Sequence, residues 1–262
     1  MPYLRFTFIL FLPFLFSSCT TIAENMGWTG LIVLSVILLS LFALMFYFIF
    51  KRKRQADKSL AQFDLSVQQM LGKLDSAKKR IKSLEVLVKR INEDKKYEKD
   101  TAWRDQVLAK TYLHLASQYF NMNDRKKTLE YCNKILQLTP DDAMTLYNRG
   151  SIYSGMGDHE KALADLSRSI ELVPNYPSSY NNRGMVLYRL GRYDEALTDF
   201  DEALGQEESA VSYYNRALVY HELKKYEPAS IDYDRALALC GEDDRELRNE
   251  ILQAKNKISG DL

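Results

Sequence analysis

The residue types that do covalent or metal chemistry are present in this chain, but not at spacings that would use them. The three cysteines, Cys19, Cys132 and Cys240, are far apart and none belongs to a CxxC pair; the three histidines, His114, His159 and His221, are scattered in the same way. Zinc sites and disulfide frameworks need ligands at short, set spacings, so neither is expected, and no cofactor is. No GxSxG elbow, phosphate-binding glycine loop, HExxH or paired-carboxylate constellation occurs, so no enzymatic activity is expected. What does recur is amide and aromatic chemistry. Asn148, Asn182 and Asn215 are 34 and 33 residues apart, and Tyr147 and Tyr214 precede two of them. An asparagine amide donates and accepts at once, which suits it to gripping a peptide backbone. A tyrosine offers rigid contact area with a polar tip.

The elements that carry these residues repeat. Tyr147-Asn148-Arg149-Gly150 returns as Tyr180-Asn181-Asn182-Arg183-Gly184, and again as Tyr213-Tyr214-Asn215-Arg216-Ala217. Around each, apolar residues fall at helical spacing on both sides of a turn such as Met156-Gly157-Asp158 or Leu190-Gly191-Arg192. A single helical hairpin cannot bury its own apolar face, so neighbouring hairpins must stack. The expected fold is all-α.

The period and the pattern resemble the tetratricopeptide repeat (TPR). The second unit, Ala143–Tyr176, supplies Leu146, Gly150, Tyr153, Ala162, Leu166, Ser169 and Pro174 at that family's large, small and terminating positions. Pro177–Ser209 and Ala210–Asp243 follow the same pattern, a divergent first unit occupies Ala109–Asp142, and residues 244–258 read as a solubilising cap helix. The array as a whole spans 101–258. The resemblance implies a superhelix whose inner groove is lined by the first helix of each hairpin. Carried over position by position, the groove is lined by His114, Phe120, Tyr147, Asn148, Asn181, Asn182, Met185, Tyr188, Arg189, Tyr214, Asn215 and Leu218. It implies a protein or peptide partner. The family's chaperone-type carboxylate clamp needs several groove cations, and only Lys110 and Arg189 fall there. Arg149, Arg183 and Arg216 fall instead where contacts between helices are expected.

Upstream of the array the character changes. Residues 1–50 hold two charges, Arg5 and Glu24, whereas residues 51–100 hold 15 Lys/Arg against 8 Asp/Glu and residues 101–262 hold 20 against 26. Residues 31–50 run for 20 residues without a charge, Gly or Pro, enough to cross a bilayer as a helix of ~30 Å. Trp28 and Tyr47 stand near its ends, and Lys51-Arg52-Lys53-Arg54 follows. By the positive-inside rule the array then faces the cytoplasm, which places the chain in a bacterial inner membrane. Residues 1–19 are signal-like: Leu15-Phe16-Ser17-Ser18-Cys19 resembles a lipoprotein cleavage box with Cys19 as the acylated residue, although Phe16 stands where that family has an aliphatic side chain. An uncleaved first span, an ordinary signal peptide and a cysteine without a role are the alternatives.

Between anchor and array, residues 51–100 form a basic linker with heptads over 60–91. Leu60, Val67, Leu74, Ile81 and Val88 fall at a; Phe63, Met70, Ala77, Leu84 and Ile91 fall at d. This predicts a coiled-coil rod of ~48 Å and a homo-oligomer, or else an amphipathic helix folding back on the repeats. The surplus cations fit anionic membrane lipid; no aromatic interleaving accompanies them, and no nucleic acid is expected. The resulting expectation is a membrane-anchored adaptor binding a peptide segment of a partner. Its rivals are a self-associating scaffold and an envelope lipoprotein with the array outside the cytoplasm.

Overall fold

The computed structural model describes residues 28–93, 100–241 and 243–259, with backbone alone for 28–39 and 259. Cys19 and the expected 1–19 segment lie outside the described residues. The described chain is eleven helices without a strand: α1 (Trp28–Gly72), α2 (Ala77–Glu93), α3 (Thr101–Asn121), α4 (Arg125–Leu138), α5 (Ala143–Met156), α6 (His159–Leu172), α7 (Pro177–Arg189), α8 (Tyr193–Gln206), α9 (Ala210–Glu222), α10 (Tyr226–Leu239) and α11 (Arg245–Ser259). They fall into two units, divided between Leu65 and Ser66.

The first unit contains the greater part of α1. The opening nine residues of the apolar run 31–50 are helical, but their side chains lie outside the described residues. Over what is described, no helix is long and apolar enough to cross a membrane. The side chains from Leu41 to Phe50 are all exposed, Phe50 by 70%.

The second unit corrects the expected rod. The helix that should run unbroken through 60–91 stops at Gly72 and restarts at Ala77. Gly72 is the poorest helix former in the stretch, which holds no proline, and the Ser76 hydroxyl accepts from the Lys79 amide at 3.4 Å, capping the new helix. Arg80 Nε reaches back to the Leu74 carbonyl at 3.1 Å and holds the turn. α2 then packs on α3. Leu84 is 0% and Ile91 2% exposed. Four of the ten heptad positions, Val67, Ile81, Leu84 and Ile91, are thus buried within the chain, and the alternative of a helix folded back on the repeats is the one observed for α2.

From α3 onward the helices pair as hairpins, α3 with α4, α5 with α6, α7 with α8 and α9 with α10, and each hairpin packs on the next. Local signals set the ends. Asp100, Asp124, Asp142 and Asp158 each accept from a backbone amide three residues on, satisfying one of the orphan donors of a helix start. Pro177 opens α7, where its missing N–H costs nothing. Within each hairpin the small residue of the first helix admits the second. A Cβ added at Gly184 would lie 2.9 Å from the Phe200 ring. α3 begins at Thr101, upstream of the Ala109 expected for the first unit, and its extra turns bury Val107 and Leu108. α11 closes the other end, burying Ile251, Ala254 and Ile258 against Tyr233 and Ala236.

Candidate functional site

The first helices α3, α5, α7 and α9 carry every groove residue expected from the sequence. Their stacking makes a ladder of polar contacts, each joining one first helix to the next. Asn182 Nδ2 donates to Ser151 Oγ at 2.8 Å, and Asn215 Nδ2 to Asn181 Oδ1 at 3.1 Å. Arg189 Nη1 donates to Ser154 at 2.9 Å (Oγ) and 3.3 Å (O). The Tyr188 hydroxyl reaches Glu222 Oε1 at 3.5 Å.

These contacts alter the role expected of the asparagines. Asn215 is buried and hydrogen-bonded to Asn181, so its amide serves the seam between α7 and α9 instead of a bound backbone. The Asn182 amide is likewise engaged with Ser151. The reason is geometric: helices that pack side by side face each other along this register, and a buried amide there must find a partner within the protein. Asn148 is half-buried on α5.

Apolar groove residues divide between packing and exposure. Met185 and Tyr188 lie against Leu187, Ala196, Phe200 and Val219. Tyr214 and Leu218 lie against the core around Tyr233. Tyr147 sits beside Leu166 and meets Tyr176 edge-on, with ring centroids 5.0 Å apart. His114 is half-buried. Phe120 is 64% exposed, and Leu113, Met144 and Val211 on the same set of helices are also exposed.

Toward the second helices the arginines form a periodic clasp. Arg149 holds Asp165 through Nε and Nη2, both at 2.7 Å, and turns Nη1 to Asn133 of the preceding hairpin. Arg183 repeats this with Asp199 and Ser167, and Arg216 with Asp232 and Asp201. Each guanidinium thus ties its own hairpin together and reaches the one before. The hydrogen bonds that Arg216 donates to the Asp232 and Asp201 carboxylates strengthen its hold on its proton despite burial. The three aspartates were not singled out from the sequence. Their signal was legible as a carboxylate sixteen residues after each repeated arginine.

Family models described as the tetratricopeptide repeat match residues 115–178 and 175–242. Residues 115–242 are tetratricopeptide repeats. Among solved structures, YrrB, described as a TPR protein with an unusual peptide-binding site, is 22% identical with a TM-score of 0.50, covering 70% of this chain and 98% of its own. MamA is 21% identical with a TM-score of 0.50, covering 63% and 94%. The first TPR of Spaghetti (RPAP3), bound to the HSP90 peptide SRMEEVD, is 27% identical with a TM-score of 0.42, covering 45% and 90%. These likenesses concern the fold of the TPR array. A comparison with curated proteins gave no match.

Proposed function

We propose that the chain is a membrane-anchored adaptor whose TPR groove binds an extended peptide segment of a partner protein. The observation that carries this reading is the exposure of the apolar side chains Leu113 and Phe120 on α3, Met144 on α5 and Val211 on α9, three of the four first helices. Apolar surface left exposed on the helices that line a groove marks a site of association. Peptide binding by the structurally similar YrrB is consistent with it. Few charges stand along the groove: Arg189 donates to Ser154, and Glu222 lies beside Tyr188. A partner segment with apolar side chains therefore fits better than an acidic tail.

Anchoring rests on the apolar run 31–50, supported by the exposure of every side chain from Leu41 to Phe50, and on the cations of residues 51–54 that follow. In this reading those cations meet anionic lipid and keep the array in the cytoplasm of a bacterium, at its inner membrane.

Photo-cross-linking tests the groove. A benzophenone amino acid replaces Phe120 in the full chain in cells, and in a control it replaces Leu252, an exposed residue of α11. A discrete adduct from position 120 that is absent from position 252 is the expected result. Equal labelling from both positions, or none from position 120, sinks the reading. Protease added to spheroplasts tests the topology: the array should survive until the inner membrane is lysed.

A further inference from the structure

Tyrosines on the clasp side and tyrosines toward the C-terminal end of the array differ in their electrostatic surroundings. On the clasp side, cations of the chain already lie over the rings: Arg149 and Lys161 over Tyr153 at 6.0 and 5.3 Å, Arg183 over Tyr180 at 5.8 Å, and Arg216 over Tyr213 and Tyr220 at 5.5 and 5.9 Å. Toward the C-terminal end of the array, Tyr188 of α7, Tyr214 of α9 and, below them, Tyr233 of α10 are different. Among the described residues, no lysine or arginine lies over any of these three rings.

Carboxylates stand there instead. Glu222 Oε1 is 3.5 Å from the Tyr188 hydroxyl, a long contact that leaves the carboxylate with free acceptor capacity. Tyr214 packs on Tyr233 with centroids 6.1 Å apart. Beneath them the Tyr233 hydroxyl is fully buried and has no hydrogen-bond partner, although buried polar groups are nearly always paired. Burial first, then the negative charge of Glu222, raises the Tyr188 pKa; burial and then Glu250 raise that of Tyr214. For Tyr233, burial leads, followed by Tyr214, Tyr188 and Glu222. Burial thus leads for all three hydroxyls, with a carboxylate next for Tyr188 and Tyr214. The adjacent cation, Arg189, is turned away to Ser154.

We infer that Tyr188, Tyr214 and Glu222, over the buried Tyr233 hydroxyl, form a subsite for a cationic side chain, a lysine or arginine of the bound peptide. Aromatic faces attract a cation through their quadrupole, and the carboxylate supplies the opposite charge. The inference rests on the groove being a peptide site. It adds that the otherwise apolar partner segment carries one basic residue, seated at the third and fourth hairpins.

The full chain in detergent, carrying isotope-labelled tyrosine rings, is titrated with Nα-acetyl-lysine methylamide and, separately, with its norleucine analogue. The Tyr188 and Tyr214 resonances should respond to the lysine derivative about 5- to 10-fold more tightly than to norleucine. E222Q should bring the lysine response down to the norleucine level with an unchanged circular dichroism spectrum, and Glu222→Asp should retain part of it. An equal response to both compounds, no response at these rings, or an E222Q protein that binds as well as the parent would overturn the subsite. Cross-linking from Phe120, on the first hairpin, does not depend on it, so the subsite and the groove fail separately.

Discussion

Arg183 on α7 and Asp199 on α8 are joined by two nearly parallel hydrogen bonds, Nε to Oδ2 at 2.8 Å and Nη2 to Oδ1 at 2.7 Å. The aspartate side chain is 4% exposed and the arginine 25%. The same pair recurs in the hairpins on either side, so the array's rigidity is built on a repeated, largely desolvated fork.

Removing one partner of such a pair leaves a charge without its counterion in a poorly hydrated place. Asp199→Ala is expected to cost about 3 kcal/mol, read as a lower urea midpoint by circular dichroism. Arg183→Lys keeps the charge but not the fork and should cost less. A loss below ~1 kcal/mol for Asp199→Ala would put the clasp in the class of surface pairs.

Leu84 tests whether α2 belongs to the array. It is fully buried, and Leu84→Ala should destabilise the second unit by about 2–4 kcal/mol. Because the burial is within one chain, the midpoint should not change with protein concentration. A midpoint that rises with concentration would restore the coiled-coil assembly.

Gly184→Ala sets two effects against each other. Alanine favours a helix interior by ~1 kcal/mol over glycine. The new methyl, however, would meet the Phe200 ring at 2.9 Å, and Phe200 is fully buried. Overpacking of this kind costs about 1–3 kcal/mol. The net expectation is a modest loss of thermal stability; a gain would show that α7 and α8 can part at no cost.

Cys132 gives a pH dependence. Burial pushes its thiol up to about 11 from an ordinary value of 9.0. The unfolded chain therefore releases this proton at lower pH than the folded one. The contribution is fully present below pH 9 and is lost as pH rises toward 11, at up to ~1.4 kcal/mol per pH unit. Cys132→Ala should flatten that slope in urea titrations between those limits. Tyr131, also pushed up by burial, to about 12, adds a similar loss beginning near its ordinary value of 10.0.

Much of this was legible beforehand, for physical reasons that particular residues show. The roles of Arg149, Arg183 and Arg216 in holding helices together followed from their place in the repeat, but their partners required Asp165, Asp199 and Asp232 to be matched across a turn. The heptad stripe of 60–91 was real, since Leu84 and Ile91 are buried. Their cover is α3 of the same chain, which the sequence did not name, because an amphipathic face records that it will be covered and not by what. Asn215 was expected to grip a ligand and instead meets Asn181; a polar side chain on a first helix looks the same in sequence whether it faces the groove or the seam.

By itself the sequence determined the period, the hairpin ends and the small residues that let helices approach. Those depend on contacts within one helix or across one turn, as with Asp124 capping α4 and Gly184 admitting Phe200. Only the tertiary structure decided that Ser154 takes Arg189, that α2 joins the array, that the Tyr188 hydroxyl meets Glu222 and that Tyr214 packs on Tyr233. Each of these joins residues on separate hairpins or helices. Their meeting is set by the stacking angle of whole units, a quantity that no local spacing encodes.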